Sequence, residues 1–291
     1  MLPLKALITG AGGQVGRALL KSAPSHVDVS AVTREQLDIR DANAVGRMVE
    51  AVHPHILINA AAYTAVDKAE SEPDIAAQIN SLAPCYLAEA AVRVPGCRVI
   101  HISTDYVFDG RSATPYKTGD APNPLNVYGR TKLEGERGVL AALGARAVVL
   151  RTAWVYAAQG RNFLLTMLRL MRERGLVRVV ADQRGSPTTA ASVARAIWRM
   201  VDLPQVQGVL HWTDQGVASW CEFAHAIAED ATAAGLLPHP IEVIPITTAD
   251  YPTPAHRPVN SVLDTGETAA TLGLTPAPWR AGLRATLREL V

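Results

Sequence analysis

Short, continuously apolar runs recur roughly every 25 to 45 residues through the first half of the chain, at Leu4–Thr9, Val27–Val32, Ile56–Asn59, Val99–Ser103 and Ala147–Thr152. Strands that are apolar without alternation are covered on both faces. Between them the spacing predicts amphipathic helices over Gln14–Lys21, Ala44–Ala51, Asp74–Val92 and Thr131–Ala142. Strand and helix alternating in this way specify an α/β fold with a doubly wound parallel sheet. Beyond about residue 153 the pattern changes. Apolar segments at Val177–Val180, Val209–Trp212 and Ile241–Ile246 alternate there with expected helices Asn162–Arg174, Ala190–Val201 and Ser219–Ala233. Residues 1–153 are therefore expected to form one lobe and 154–291 a smaller C-terminal α/β lobe, with some exchange of chain between them. Six prolines between Pro238 and Pro258 read as a folded-back loop system beside a site.

Composition narrows the classes of function. With 28 Lys+Arg against 27 Asp+Glu the net charge is +1, so no strong field exists to hold a nucleic acid or an anionic membrane surface. No apolar run approaches the ~18 residues of a membrane span, and the N-terminus lacks the pattern of a signal peptide. Three scattered cysteines, Cys85, Cys97 and Cys221, argue for free thiols in a reducing compartment, and the cytoplasm is the expected location.

The first strand runs directly into Thr9-Gly10-Ala11-Gly12-Gly13-Gln14-Val15-Gly16 and then into a helix. One glycine allows the tight turn, another lets the backbone approach a pyrophosphate, and a third lets helix pack on strand, while the helix N-terminus supplies N–H donors. That is a dinucleotide site of Rossmann type. At the end of the second strand, where an NAD site usually offers an acidic residue, stands Arg34, which favours a 2′-phosphate and hence NADPH, with NADH as the lesser possibility. A solvated surface charge is the plainer reading of Arg34, and Glu35 follows it.

The run Val99–Ser103 leads into Thr104, and 24 residues later comes Tyr128-Gly129-Arg130-Thr131-Lys132. On a helix the i, i+4 spacing sets Tyr128 and Lys132 on one face, where an ammonium lowers the pKa of a phenol. The pair alone is only suggestive. A hydroxyl at a strand's carboxyl end, a Tyr/Lys pair opening the next helix and a dinucleotide turn upstream are together the parts of a carbonyl reductase.

These elements resemble the extended short-chain dehydrogenase/reductases. The segments Asn59–Glu70, Ser103–Gly110, Arg151–Tyr156, Asp182–Thr188 and Arg257–Ser261 resemble in particular the dTDP-4-dehydrorhamnose reductase family. The resemblance spans nearly the whole chain. It implies Tyr128 as proton donor, Lys132 as the residue that lowers its pKa and holds the nicotinamide ribose, and Thr104 as the hydroxyl against the substrate carbonyl. It further implies Gly10, Gly13, Gln14, Val15 and Gly16 at the pyrophosphate, Asp38 and Ile39 beside the adenine, and Ala60, Ala61, Ala62 and Tyr63 along the cofactor. Asp105, Trp154, Gln183, Arg257 and Asn260 are the implied contacts of a dTDP-sugar, whereas Phe108 and Phe163 are expected to be packing residues. An arginine in a proline-rich loop is equally at home as an exposed charge.

The resemblance implies reduction of the C4 ketone of dTDP-4-dehydro-L-rhamnose by NADPH. Two rivals are a non-catalytic NADP-binding subunit like the regulatory β subunit of methionine adenosyltransferase, and a nucleotide-sugar epimerase or dehydratase. A scaffold needs no phenol/ammonium pair, and epimerases usually prefer NAD. Some family members dimerise around a magnesium ion held by glutamates; the corresponding places here hold Arg17-Ala18 and Ala191-Ser192. Without those carboxylates no metal site is expected. The chain is then a monomer or a metal-independent homodimer.

Overall fold

The computed structural model describes residues 3–291. In chain order the first half forms β1 (Leu4–Thr9), α1 (Gln14–Lys21), β2 (Val27–Val32), α2 (Ala42–Val52), β3 (Ile56–Asn59), α3 (Val66–Ser71), α4 (Pro73–Ala77), α5 (Ala83–Val92), β4 (Arg98–Thr104), α6 (Val127–Leu143) and β5 (Ala147–Thr152). The second half adds β6 (Val155–Tyr156), α7 (Phe163–Arg174), β7 (Leu176–Val180), β8 (Arg184–Gly185), β9 (Thr188–Thr189), α8 (Ala190–Val201), β10 (Gly208–His211), β11 (Ala218–Ser219), α9 (Trp220–Ala233), β12 (Glu242–Ile246), α10 (Gly266–Leu272) and α11 (Trp279–Arg288).

Six parallel strands form the main sheet in the order β10-β5-β4-β3-β1-β2. The chain winds outward from β1 to β2 and then crosses to β3 on the other side, which opens a crevice beyond the carboxyl ends of β1 and β3 where such folds bind ligands. Leu19 of α1 and Val193, Ile197 and Trp198 of α8 bury one face of the sheet. Val45 of α2, Leu87 of α5 and Val139 of α6 bury the other. The unbroken apolarity of the strands follows from this double cover. A separate core joins α7, α9 and α11 to the parallel pair β7–β12 through Leu164, Met171, Phe223, Ile227 and Leu283. Although α8 and β10 come from beyond residue 153, they belong to the first core and sheet.

Two expected helices differ in the structure, for identifiable reasons. Asp74–Val92 is not one regular helix, because α4 and α5 are joined by a π-helical turn at Gln78–Leu82. Pro84 has no N–H to give to the Asn80 carbonyl four residues earlier, so the helix widens there. The freed carbonyl lies against α6 so closely that a Cβ at Gly135 would sit 2.1 Å from it. The next helix begins earlier than residue 131. Asn126 accepts the Gly129 N–H at 2.8 Å and Glu70 accepts the Val127 N–H at 2.7 Å, so Tyr128 falls in the first turn of α6.

Candidate active site

The glycine turn is built for close approach. Gly10 has φ +75°, and a Cβ there would lie 2.5 Å from the Ala61 nitrogen; at Gly16 it would lie 2.2 Å from the Gly10 oxygen. Only glycine fits either place. Gly13 heads α1 with no side chain capping it, so the N–H groups of its first turn, including those of Gln14 and Val15, are left for an anion. Beside the turn, Ala60, Ala61 and Ala62 leave the end of β3 with the Ala60 N–H bonded to Thr9. Tyr63 is held from below by Asn80, which accepts its N–H at 2.9 Å and donates to its carbonyl at 3.0 Å. Gln14 reaches across to the second half, accepting from Asn162 at 2.8 Å. These features fit a dinucleotide pyrophosphate.

Arg34 is exposed beyond β2, and Ile39 is buried. Asp38 is paired: Arg40 donates to both its oxygens, at 2.9 and 3.0 Å, and holds its pKa down at about 2. Arg34 adds a weaker pull on the same group. The rim of the crevice therefore carries two arginines around one carboxylate, and Arg40 is a residue that sequence reasoning missed.

Thr104 ends β4, accepts the Tyr106 N–H at 3.2 Å and donates to Asp105 at 3.0 Å. Tyr128 is half-buried, with its ring edge-on to Tyr106 at 5.8 Å between centroids. Burial comes first in setting the protonation of both members of the pair. Burial pushes Tyr128 up to about 12, the neighbouring Thr104 hydroxyl opposes that rise, and Asp105 adds to it. The lysine, 1% exposed, has turned its amino group to β4, where Nζ donates to the Ile102 carbonyl at 2.7 Å and meets His101 Nε2 at 3.2 Å. Burial pulls its pKa down to about 8, against the favourable charge of Glu136.

Behind this group lies a buried ion pair that the sequence did not announce. Arg151 of β5 bonds Glu136 of α6 at 2.7 Å, with the two side chains 4% and 2% exposed, and Ser103 also donates to Glu136. Ser103 and Arg151 are register partners on β4 and β5. The available signal was a polar alternation, His101 then Ser103, inside an otherwise apolar strand, which sets both on the face toward α6.

The second half supplies the rest. Asp105 is buried, its carboxyl is pushed up to about 6 by burial, and one of its oxygens has no partner. Trp154 adopts φ +50° and stacks flat on Trp220 at 3.4 Å; a Cβ at Gly185 would lie 2.4 Å from its indole. Gln183 and Arg257 line a cavity of about 650 Å³, together with Arg174, Arg178, Trp220 and Tyr251. Arg257 is not an idle surface charge, since it pairs with Asp67 of α3 at 2.7 Å, and its charge opposes the rise that burial gives the Tyr106 phenol. It thereby joins the cavity to the Tyr128 neighbourhood. Asn260 is different: its amide donates to the Ser112 carbonyl at 2.8 Å and accepts the Val262 N–H at 3.2 Å, so it pins two loops. Phe108 stacks on Tyr116, and Phe163 packs on Trp220 and Phe223 while also lining the cavity. Among the described residues no group of three or more His, Cys, Asp or Glu side chains is placed to hold a metal ion.

A dinucleotide turn, a Thr/Tyr/Lys group at the sheet's carboxyl edge and an arginine-lined cavity define an NAD(P)-dependent reductase of the short-chain type. The chain belongs to the family described as RmlD substrate binding domain, whose model matches residues 4–291. It is 42% identical over 287 residues, 96% of this chain and 97% of the relative, to a dTDP-4-dehydrorhamnose reductase of Aggregatibacter actinomycetemcomitans. Among solved structures, a dTDP-4-dehydrorhamnose reductase from Clostridium acetobutylicum superposes with TM-score 0.92 at 38% identity, covering 99% of both chains. A Bacillus anthracis dTDP-4-dehydrorhamnose reductase in complex with NADP gives 0.91 at 35%, again with 99% of both chains covered.

Proposed function

We propose that the chain reduces the C4 ketone of dTDP-4-dehydro-L-rhamnose with NADPH, giving dTDP-L-rhamnose. The observation that carries this reading is the position of Thr104, Tyr128 and Lys132 between the uncapped α1 terminus and the arginine-lined cavity. The Gly10–Gly16 turn would hold the pyrophosphate and Ala60–Tyr63 the nicotinamide arm, and the reduced nicotinamide would supply a hydride to C4. Thr104 and Tyr128 hold the ketone oxygen, and as the carbon–oxygen double bond opens Tyr128 gives its proton to the new alkoxide. A phenol raised to about 12 keeps that proton at neutral pH. Once its amino group swings off β4, Lys132 steadies the phenolate that remains. Asp105, Trp154 and Gln183 position the sugar, and Arg257 with the cavity arginines meets the diphosphate. On this reading residues 154–291, apart from α8 and β10, form the sugar-nucleotide lobe. No helix among the described residues is long and apolar enough to cross a membrane, and all three cysteines are unpaired, which supports action in a reducing cytoplasm. Consumption of reduced nicotinamide with the 4-keto sugar nucleotide as sole acceptor tests the reading; no turnover beside a correctly folded protein that binds NADPH overturns it.

Two further outcomes follow from the same geometry. Lys132 is charged below about 8 and Asp105 is charged above about 6, so kcat/KM for reduction falls as pH rises through the first value and falls as pH drops through the second. A profile flat across both values removes these groups from the free enzyme's titration. Replacing Arg34 by alanine lowers the ratio of kcat/KM for NADPH over NADH by about 10- to 100-fold, the value of a charge-assisted bond to the 2′-phosphate. Equal use of both cofactors by the unaltered protein overturns that assignment.

A further inference from the structure

Beneath the crevice a single line of hydrogen bonds runs from β1 to the reactive lysine. Asn59 ends β3 beside His101 of β4, its register partner. The Asn59 Oδ1 accepts the Thr9 hydroxyl at 2.8 Å and the Ala61 backbone N–H at 3.1 Å. A backbone N–H can only donate, so the amide orientation is fixed. The Asn59 Nδ2 must then donate to His101 Nδ1, 3.0 Å away. His101 is fully buried, and burial holds its pKa well below the ordinary value, so the ring is neutral. A neutral imidazole that accepts at Nδ1 carries its hydrogen at Nε2. That hydrogen points at Lys132 Nζ.

We infer that His101 is a positioning residue that sets the protonation state of Lys132: its Nε2–H offers a donor to a lone pair that only the neutral amine possesses. The amine satisfies the line completely, accepting from His101 and donating to the Ile102 carbonyl. An ammonium has no acceptor, so two donors face each other across 3.2 Å, and the charged group has to leave His101 and turn toward Tyr128. The line thus couples the charge of Lys132 to its direction. It stores the lysine as an amine against β4 and releases it as an ammonium into the site.

The other charged and titratable groups around Lys132 are accounted for. Glu136 on the same helix favours the ammonium, yet its carboxylate is engaged by Arg151 of β5 and Ser103 of β4. Tyr128 stands one turn earlier on α6, and Asp105 and Tyr106 form the 3-10 turn that follows β4; none of the three bonds the Lys132 amino group. From α3, Glu70 is spent on the N-terminus of α6, and the π turn brings the neutral Asn80, whose amide reaches Thr131. None of these explains why the amino group is seated on an imidazole. The Asn59 amide does.

This inference rests on the reading of Tyr128 and Lys132 as a reacting pair, but its first test does not. Long-range nitrogen NMR of the unaltered protein, with the His101 signal assigned by its loss in His101→Gln, is expected to show a neutral ring protonated at Nε2 from pH 6 to 9. A ring protonated at Nδ1 overturns the inference, whether or not the chain turns out to be a reductase. The second test is the alkaline limb of kcat/KM. His101→Leu removes the donor and is expected to move that limb upward by about one pH unit. His101→Gln, whose amide can accept from Asn59 and still donate to Lys132, is expected to leave it in place. Asn59→Asp reverses the line, since the new carboxylate accepts from Nδ1–H and turns a lone pair to Lys132. The limb then moves up by more than the same change produces in a His101→Leu background, which isolates the imidazole from the added charge. Equal shifts in both backgrounds, or an unmoved limb in His101→Leu, overturn the inference.

Discussion

Replacing Tyr128 by phenylalanine lowers kcat by about 10²- to 10⁴-fold and leaves NADPH affinity within a few-fold of the parent, because only the proton donor is removed. The ring keeps its edge-on contact with Tyr106 and its place in the first turn of α6, so the fold has no reason to respond. Thr104 continues to hold the ketone oxygen, which leaves water as the only proton source. Steady-state turnover and cofactor titration measure the two quantities separately. A variant within threefold of the parent in kcat removes the phenol from the reaction, and one that has lost NADPH binding shows the tyrosine to be a cofactor contact first.

Arg151→Leu is the variant with the largest expected effect on stability. Glu136 would be left 2% exposed with its guanidinium partner gone, and a buried charge stripped of its partner loses about 3–5 kcal/mol. The guanidinium also lies over the Phe108 ring at 5.1 Å, so packing is lost along with charge. Urea unfolding followed by far-ultraviolet circular dichroism measures the change. Replacing Glu136 by leucine in the same chain is expected to recover most of the loss, since an apolar pair can occupy the space of an ion pair. A single variant that unfolds within about 1 kcal/mol of the parent shows that Ser103 and penetrating water satisfy the carboxylate unaided.

The fold and the pyrophosphate turn were legible because they depend on local rules. Apolar runs of strand length and glycines at fixed offsets report what each backbone segment must do, and the positions of Gly10, Gly13 and Gly16 follow from that. Thr104, Tyr128 and Lys132 were legible as residue types at a spacing. Their protonation was not. The i, i+4 spacing says that Lys132 shares a face with Tyr128, whereas the direction of its amino group depends on His101 and Ile102, about thirty residues away on another element. The same holds for Asp38, whose partner Arg40 is two residues on but whose pairing depends on how the chain turns after β2. The bond from the Asn260 amide to the Ser112 carbonyl also joins two loops in a way that no spacing reveals. Helix α5 failed at one residue: Pro84 was visible, but its effect falls on a carbonyl four positions earlier and so on the neighbouring helix.

The return of α8 and β10 to the first sheet limits how this protein can be divided or inherited. A polypeptide ending at residue 153 would leave β5 as a bare sheet edge, with Val148 and Leu150 stripped of β10 and of the α8 residues that cover one face. Exposed apolar edges of that kind recruit strands from other molecules. Neither lobe can therefore be exchanged between relatives by a single crossover at the boundary that the sequence marks. A viable recombinant has to carry α8 and β10 along with the cofactor turn, two stretches of chain separated by the α7 layer that belongs to the other core.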